Sequence, residues 1–208
     1  MIITKIERQK KNRQRFSIFV DEKYAFSVSE DVYVRYVLHT GQSLTDEERE
    51  QIEYSEMESS VKRIALRYRS YRPRSAKEIS DYLHKKEFDE RFVQQALQYL
   101  QENNLLNDAE YARMFCRDKM MLRPVGKLTM KQLLMKKGID RTTIDAILSE
   151  YFTTESETAL ALKEGERKYK RITSLPTLTK KKRIYEHLLR RGYDSSLSGK
   201  IASQLVKE

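Results

Sequence analysis

Three copies of nearly the same seven-residue phrase limit the folds available to this chain. They read LHKKEFD at 83–89, LMKKGID at 134–140 and LLRRGYD at 188–194, so successive copies begin 51 and 54 residues apart. The same two shifts superpose apolar positions before and after each phrase. The sequence therefore predicts three tandem units of about 50 residues.

Each unit is predicted to contain three amphipathic helices, because its apolar residues recur at intervals of three and four. The first unit shows this at 61–68, 79–83 and 93–100. A short polar residue followed three positions later by Glu is typical of a capped helix start. This spacing occurs at Ser75 and Glu78, at Asn107 and Glu110, and at Thr154 and Glu157, and it predicts helix starts near 76, 108 and 155. The spacing of Thr45 and Glu48 predicts a further, acidic helix before the first unit.

The repeated phrase has a structural interpretation as a corner between two helices. Gly138 permits the left-handed turn that ends one helix, Ile139 can fold back onto it, and Asp140 can cap the next helix. We expect the corners to be architectural rather than catalytic. Glu87 replaces glycine in the first copy, which predicts a corner that is strained or differently wound there.

The N-terminal segment differs from the repeats. RFSIFV and KYAFSVS alternate polar with aromatic or β-branched residues and are separated by Asp21 and Glu22, which predicts a hairpin. The fold class that follows is mainly α, with three tandem three-helix repeats in an elongated, curved arrangement and a small N-terminal β-hairpin. The predicted divisions are 1–58 for the hairpin plus the acidic helix, then 59–106, 107–153 and 154–208 for the repeats.

The sequence predicts no catalytic residue, no metal site and no cofactor. The glycines form no phosphate-binding pattern. His39, His84 and His187 lie far apart without a second ligand at metal spacing, and Cys116 falls at a core position. The acidic cluster after Thr45 is explained by a capped helix start. We therefore expect a protein that is not an enzyme.

A cytoplasmic location is predicted from three features. The single cysteine excludes an intramolecular disulfide framework, and the first residues are charged where a signal peptide needs an apolar centre. No apolar run approaches the roughly 20 residues that span a bilayer.

Clustered positive charge is the main functional signal. The formal net charge is +10, and residues 62–77 hold seven Lys or Arg and no acidic residue. The runs KIERQKKNRQR at 5–15 and KKKR at 180–183 add further positive charge. Such surfaces predict binding to single- and double-stranded DNA that is electrostatic and independent of base sequence. Any one run can also be an ordinary solvated face.

The middle unit also has a candidate docking patch. Met130, Leu133 and Leu134 form the apolar stripe of the helix near 127–137, which leaves Leu128 and Met135 on its outer side. The neighbouring units are mostly polar at these positions. The pair is either a surface for a protein partner or a contact with another repeat.

In these features the chain resembles the RecX regulators of bacterial recombination. The resemblance rests on RSAKEISDYL at 74–83, LLNDAEYARMF at 105–115 and the corner phrases, and it covers about residues 60–208. The N-terminal segment looks like an extension found in some members.

The resemblance implies a non-enzymatic protein that acts in homologous recombination, DNA repair and the SOS response. Such a protein binds the RecA filament along its groove, contacts DNA and modulates filament assembly, ATP hydrolysis and strand exchange. We expect it to act as a monomer. The expected binding face carries Arg63, Arg67, Arg69, Arg72, Arg74, Arg123, Lys127 and Lys131.

Two alternatives from other functional classes remain open. A helix-turn-helix transcription regulator would place one corner in the major groove and bind specific operators. A metal-dependent nuclease would need two or three convergent carboxylates, and no spacing in the sequence demands them.

Overall fold

The structure is a computed structural model that describes residues 1–206 of the 208-residue chain. It confirms a mainly helical fold with three three-helix repeats and a small N-terminal sheet. The described residues pack into two compact units: the first comprises 1–74 and 79–106, and the second comprises 75–78 and the chain from Asn107 onward. The last two residues of the predicted range 154–208 lie outside the described part.

The N-terminal sheet contains three antiparallel strands in the order β1-β2-β3. Their bounds are β1 Ile3–Arg8, β2 Arg15–Val20 and β3 Lys23–Ser29. The predicted hairpin of β2 and β3 is confirmed. Asp21 and Glu22 form its two-residue turn with φ of 48° and 68°, the left-handed values that match the twist of a hairpin.

Strand β1 was not predicted, because its charges had been assigned to a basic run. It pairs with β2 from Ile3 to Arg8 and buries Ile3 completely, while Lys5 and Glu7 point to solvent and form an ion pair at 2.6 Å. Charged side chains are typical of an edge strand, which is protected by them from pairing with other chains.

A single long helix follows the sheet after the short helix α1 (Glu30–Arg35). Helix α2 runs without interruption from Asp46 to Ser70, so the predicted division between residues 58 and 59 falls inside it. Thr45 and Glu48 form the predicted reciprocal capping box. No glycine or proline interrupts this stretch, and ion pairs one turn apart, such as Lys62 with Glu58 at 2.7 Å, support a continuous helix.

Glu56 on α2 anchors the sheet to this helix. Its side chain is 8% exposed, accepts a hydrogen bond from the backbone N of Ser29 at 2.6 Å, and pairs with Arg15 at 2.7 Å. A buried carboxylate with two such donors is well compensated for its loss of water.

Eight further helices complete the described chain. They are α3 Ala76–His84, α4 Glu90–Glu102, α5 Asp108–Leu122, α6 Lys127–Lys136, α7 Arg141–Tyr151, α8 Thr154–Tyr169, α9 Thr177–Arg190 and α10 Ser195–Leu205. Helices α5 to α7 enclose one apolar core around Met130, Leu134 and Ile144, and α8 to α10 enclose another around Ile184, Leu188 and Ile201.

Two of the three predicted caps on these helices are confirmed and one is displaced. Ser75 accepts from the backbone N of Glu78 at 3.2 Å, and Asn107 accepts from that of Glu110 at 3.0 Å. The cap of α8 is Thr153 rather than the predicted Thr154, and its hydroxyl accepts from the backbone N of Ser156 at 3.2 Å. Thr153 has the extended backbone that a cap requires, with φ −74° and ψ 160°.

The three corners share one backbone geometry. Glu87, Gly138 and Gly192 have φ of 63°, 79° and 84°, and the residue after each donates its backbone N–H to the carbonyl of Leu83, Leu134 or Leu188. This is the left-handed helix ending predicted from the phrase. The first corner is therefore wound like the others and carries the strain of a non-glycine residue.

Gly138 and Gly192 also sit against the first turn of an earlier helix, an arrangement that we call a corner joint. A Cβ on Gly138 would lie 2.5 Å from the Cβ of Lys77 on α3, and one on Gly192 would lie 2.3 Å from the hydroxyl of Thr129 on α6. Hydrogen bonds close both joints: Ser75 Oγ donates to Lys137 O at 2.7 Å, and Gly126 N donates to Arg191 O at 2.8 Å.

The corner joints explain why the first copy of the phrase lacks glycine. Glu87 is exposed, so its side chain has room in spite of the left-handed turn. At Gly138 and Gly192 both the turn and the joint exclude a side chain. Glycine is therefore needed at a corner where another helix blocks the direction of the Cβ, whereas a corner with an open Cβ direction tolerates another residue at some cost in strain.

We expect Gly138→Ala to lower the free energy of unfolding by about 1 to 3 kcal/mol, from left-handed strain and overpacking against Lys77. The matched control is Gly199→Ala within α10. A Cβ there meets nothing within 4 Å, so alanine should stabilise the helix by up to about 1 kcal/mol. Urea unfolding followed by circular dichroism measures both. Equal stability of Gly138→Ala and the parent would contradict the corner geometry.

Candidate nucleic-acid interface

The basic stretch of the first unit continues from the end of α2 into the loop that follows it. Arg63 and Arg67 are exposed, as the helical pattern predicts, and Arg72 is exposed in the loop. Arg63 also lines a cleft of about 290 Å³ with Arg35 and Lys62. Arg69 is half-buried. These side chains spread positive charge over the surface rather than converging on one point.

Arg74 belongs to a column of two cations and two stacked aromatic rings. Its guanidinium lies 4.0 Å from the ring centre of Tyr68, which stacks on Tyr82 at 3.7 Å with an interplanar angle of 4°. Lys86 lies 5.3 Å from the ring of Tyr82 and completes the column. Cation–π contacts hold both charges at fixed positions on this surface. No local sequence pattern indicates this column, because its members come from three segments of the chain.

On α6 the structure gathers four of the predicted residues on one face. At 3.6 residues per turn, Lys127, Leu128, Lys131 and Met135 fall within roughly 100° of helix circumference. Leu128 is 59% exposed and Met135 is 58% exposed. Both side chains therefore face solvent in the described part of the chain.

The two lysines of this face differ in their surroundings. Lys127 is exposed. Lys131 donates to Asp145 of α7 at 2.6 Å, and this hydrogen bond lowers the pKa of the Asp145 carboxyl. Because that carboxylate partly neutralises Lys131, Lys127 presents the stronger field to an anionic partner.

Arg123 contributes to a different place, a cleft of about 430 Å³ in the second unit. Its other members were not predicted from the sequence; they come from α8, α9 and the segments that follow these helices. The cleft is lined by Arg123, Glu164, Arg167, Lys168, Arg171, His187 and Arg191.

Glu164 is the buried centre of this cleft. It is 7% exposed and lies 3.2 Å from His187 Nε2, 3.4 Å from Arg167 Nη1 and 3.4 Å from Arg191 Nε. Burial lowers the pKa of His187, and the hydrogen bond with Glu164 opposes this shift. A sequence signal existed, because Glu164 interrupts the apolar stripe that includes Ala161 and Gly165 on α8.

The cysteine and two of the histidines in residues 1–206 are buried or paired with a carboxylate. Cys116 is fully buried, and this burial raises the pKa of its thiol to about 11, so the nucleophilic thiolate is disfavoured. His84 pairs with Glu90 at 2.5 Å, and His187 pairs with Glu164. Among residues 1–206 no group of three or more His, Cys, Asp or Glu side chains is placed to hold a metal ion.

A separate search of residues 1–206 for membrane-crossing helices finds none of sufficient length and apolar character.

Comparison with known proteins finds matches along nearly the whole chain. Residues 1–45 match the regulatory protein RecX N-terminal domain. Residues 62–100, 107–148 and 155–200 match the first, second and third three-helix domains of RecX.

Similar proteins and structures carry the same description. Regulatory protein RecX of Bacillus subtilis (strain 168) is 36% identical over 99% of this chain and 78% of its own length. That of Listeria monocytogenes serotype 4a (strain HCC23) is 34% identical over 100% and 77%. A crystal structure of regulatory protein RecX superposes with a TM-score of 0.80 at 30% identity, covering 96% of this chain and 98% of its own. RecX from Lactobacillus salivarius has a TM-score of 0.66 at 26% identity, covering 73% and 97%.

Proposed function

The chain belongs to the RecX family of regulatory proteins, and from this we propose that it regulates the RecA recombinase in bacterial homologous recombination and DNA repair. The observation that carries the proposal is the ordered match of four RecX domains along residues 1–200. In this proposal the protein binds along the groove of the RecA filament, contacts DNA, and changes filament assembly, ATP hydrolysis and strand exchange.

The physical character of the surfaces supports a binding protein rather than an enzyme. A filament on DNA is long and anionic, and tandem units can add several weak contacts along it through high effective concentration. Exposed cations on α2 and α6 suit phosphate backbones, and the apolar pair on α6 suits a protein surface. We place the protein in the cytoplasm, where it acts as a monomer.

The proposed binding residues have different roles in the two compact units. In the first compact unit, contact with nucleic acid is made by the exposed Arg63, Arg67 and Arg72, by the half-buried Arg69, and by Arg74 of the cation–aromatic column. In the second unit, Arg123, Lys127 and Lys131 serve the same purpose, with Leu128 and Met135 as apolar anchors for RecA.

The direct test is ATP hydrolysis by RecA on single-stranded DNA with increasing amounts of this protein. We expect a change in rate with less than one copy per RecA subunit, because a protein that bridges successive subunits affects more than the one it touches. The sign of the change gives the direction of regulation. A rate that stays constant even with excess protein would contradict the proposal.

We expect binding to bare DNA to be electrostatic. Fluorescence anisotropy with labelled oligonucleotides of random sequence should show affinity that falls at least about tenfold between roughly 50 and 200 mM salt. Different sequences should give similar values, because contacts to phosphate carry no base information. Affinity that holds across this range and prefers one sequence would support the operator-binding alternative.

Replacing the apolar pair should separate RecA binding from DNA binding. Leu128→Ala with Met135→Ala is expected to weaken filament association about tenfold or more, as for anchors worth 1 to 2 kcal/mol, and to leave binding to bare DNA unchanged. Lys127→Glu should weaken both associations. It is a cleaner charge reversal than one at Lys131, whose replacement would also break the ion pair with Asp145.

The matched control replaces an exposed Leu and Met elsewhere in the second unit. Met121 is 75% exposed and Leu178 is 83% exposed. Met121→Ala with Leu178→Ala should leave filament binding like the parent. If the two double variants lose equal affinity for the filament, the contact is not at the α6 pair.

A further inference from the structure

The cleft around Glu164 holds more positive charge than its own carboxylate can neutralise. Five cationic side chains line it, against one carboxylate, an excess of four positive charges with His187 neutral. Arg167 and Arg191 are paired with Glu164. Arg123, Lys168 and Arg171 have no ion-pair partner among residues 1–206, so the like charges remain uncompensated.

Glu164 positions neighbouring cationic side chains of the cleft as well as neutralising part of their charge. Its carboxylate forms ion pairs with the half-buried Arg191 and with Arg167, whose side chain is 53% exposed. Arg191 also donates from Nη2 to the carbonyl of Pro124, next to Arg123. Side chains that are already held in place lose little entropy when they bind a ligand. The cleft is thus a prepared site whose open side is cationic.

An anion with several acceptor oxygens is the ligand that fits this chemistry. Guanidinium groups offer paired N–H donors that match phosphate oxygens, and a cleft lined by one sign of charge concentrates the opposite ion. A volume of about 430 Å³ admits a phosphate group together with part of what carries it. The lining of four arginines and one lysine favours phosphate over a neutral polar ligand.

We propose that this cleft is a discrete phosphate-binding site and that the phosphate belongs to a nucleic-acid backbone. The inference rests on the proposed DNA contact and adds a site outside the α2 and α6 surfaces, formed by the third repeat together with Arg123 of the second. Arg123 and Arg171 bind the phosphate from the open side of the cleft. Arg191, held by Glu164 and by the carbonyl of Pro124, binds it from the inner side, and Arg167 binds it from the exposed rim.

The test replaces the two arginines that do not touch Glu164. Full-length protein carrying Arg123→Gln and Arg171→Gln keeps the buried carboxylate paired, so its melting temperature should match the parent. The control carries Arg117→Gln and Arg190→Gln, two exposed arginines of the same unit that do not line the cleft. Both variants remove the same formal charge.

Two measurements are made on each protein. In the first, affinity for a single-stranded oligonucleotide is measured at several salt concentrations. The cleft variant should lose about tenfold in affinity, and its salt slope should fall by about 0.7, the value for one lost phosphate contact on a single strand. The control variant should lose much less affinity, and its salt slope should change much less. Equal losses in the two variants would show diffuse attraction and overturn the site.

In the second, inorganic pyrophosphate is titrated at constant ionic strength while NMR follows the arginine Nε–H signals. The parent and the control should show saturable shifts that the cleft variant lacks, and no such difference would overturn the site. Loss of pyrophosphate binding with unchanged oligonucleotide affinity would overturn the assignment to nucleic acid and identify a free phosphate compound as the ligand.

RecA ATP hydrolysis, measured with the same proteins, keeps the two proposals distinguishable. If the parent changes the rate of hydrolysis but the two variants bind DNA and pyrophosphate alike, the site is wrong and the proposed function stands. If the parent leaves hydrolysis unchanged but binds pyrophosphate in the cleft, the proposed function fails and the site stands.

Discussion

Close packing of two left-handed corners against earlier helices is the constraint on which much of the second unit depends. Gly138 and Gly192 reach positions where a Cβ would lie within 2.5 Å of a neighbouring atom. The same two corners end α6 and α9 and direct the chain into α7 and α10. One glycine therefore ends a helix, turns the chain and closes a contact, which explains why the phrase recurs with glycine in two of its three copies.

Patterns among neighbouring residues predicted most of the fold, whereas features that depend on distant residues were not predicted. The helix starts, the hairpin and the corner at Gly138 all depend on residues within one or two turns of each other. Strand β1 escaped because pairing with β2, rather than its own composition, makes it a strand. The close approach of Gly138 to Lys77 escaped as well, since it joins residues 61 positions apart.

The candidate site was less predictable because charge in a sequence does not show where charge is neutralised. Lys131 appears equivalent to Lys127 in the sequence, but Asp145 from the next helix pairs with it. The cleft around Glu164 collects side chains from 123 to 191, which no local pattern connects. By contrast, the exposure of Leu128 and Met135 was predictable, because helical periodicity alone determines it. The net charge that a surface presents thus depends both on its local sequence and on ion pairs with residues far away in the sequence.

A double-mutant cycle between Gly138→Ala and Lys77→Gly tests the corner joint most directly. Removing the Cβ of Lys77 takes away the atom that the new alanine would meet at 2.5 Å. If the joint is a real contact, the double variant loses less unfolding free energy than the two single variants together, by about 0.5 to 3 kcal/mol. Losses that add within about 0.3 kcal/mol would show that the two residues do not interact, and would contradict the account.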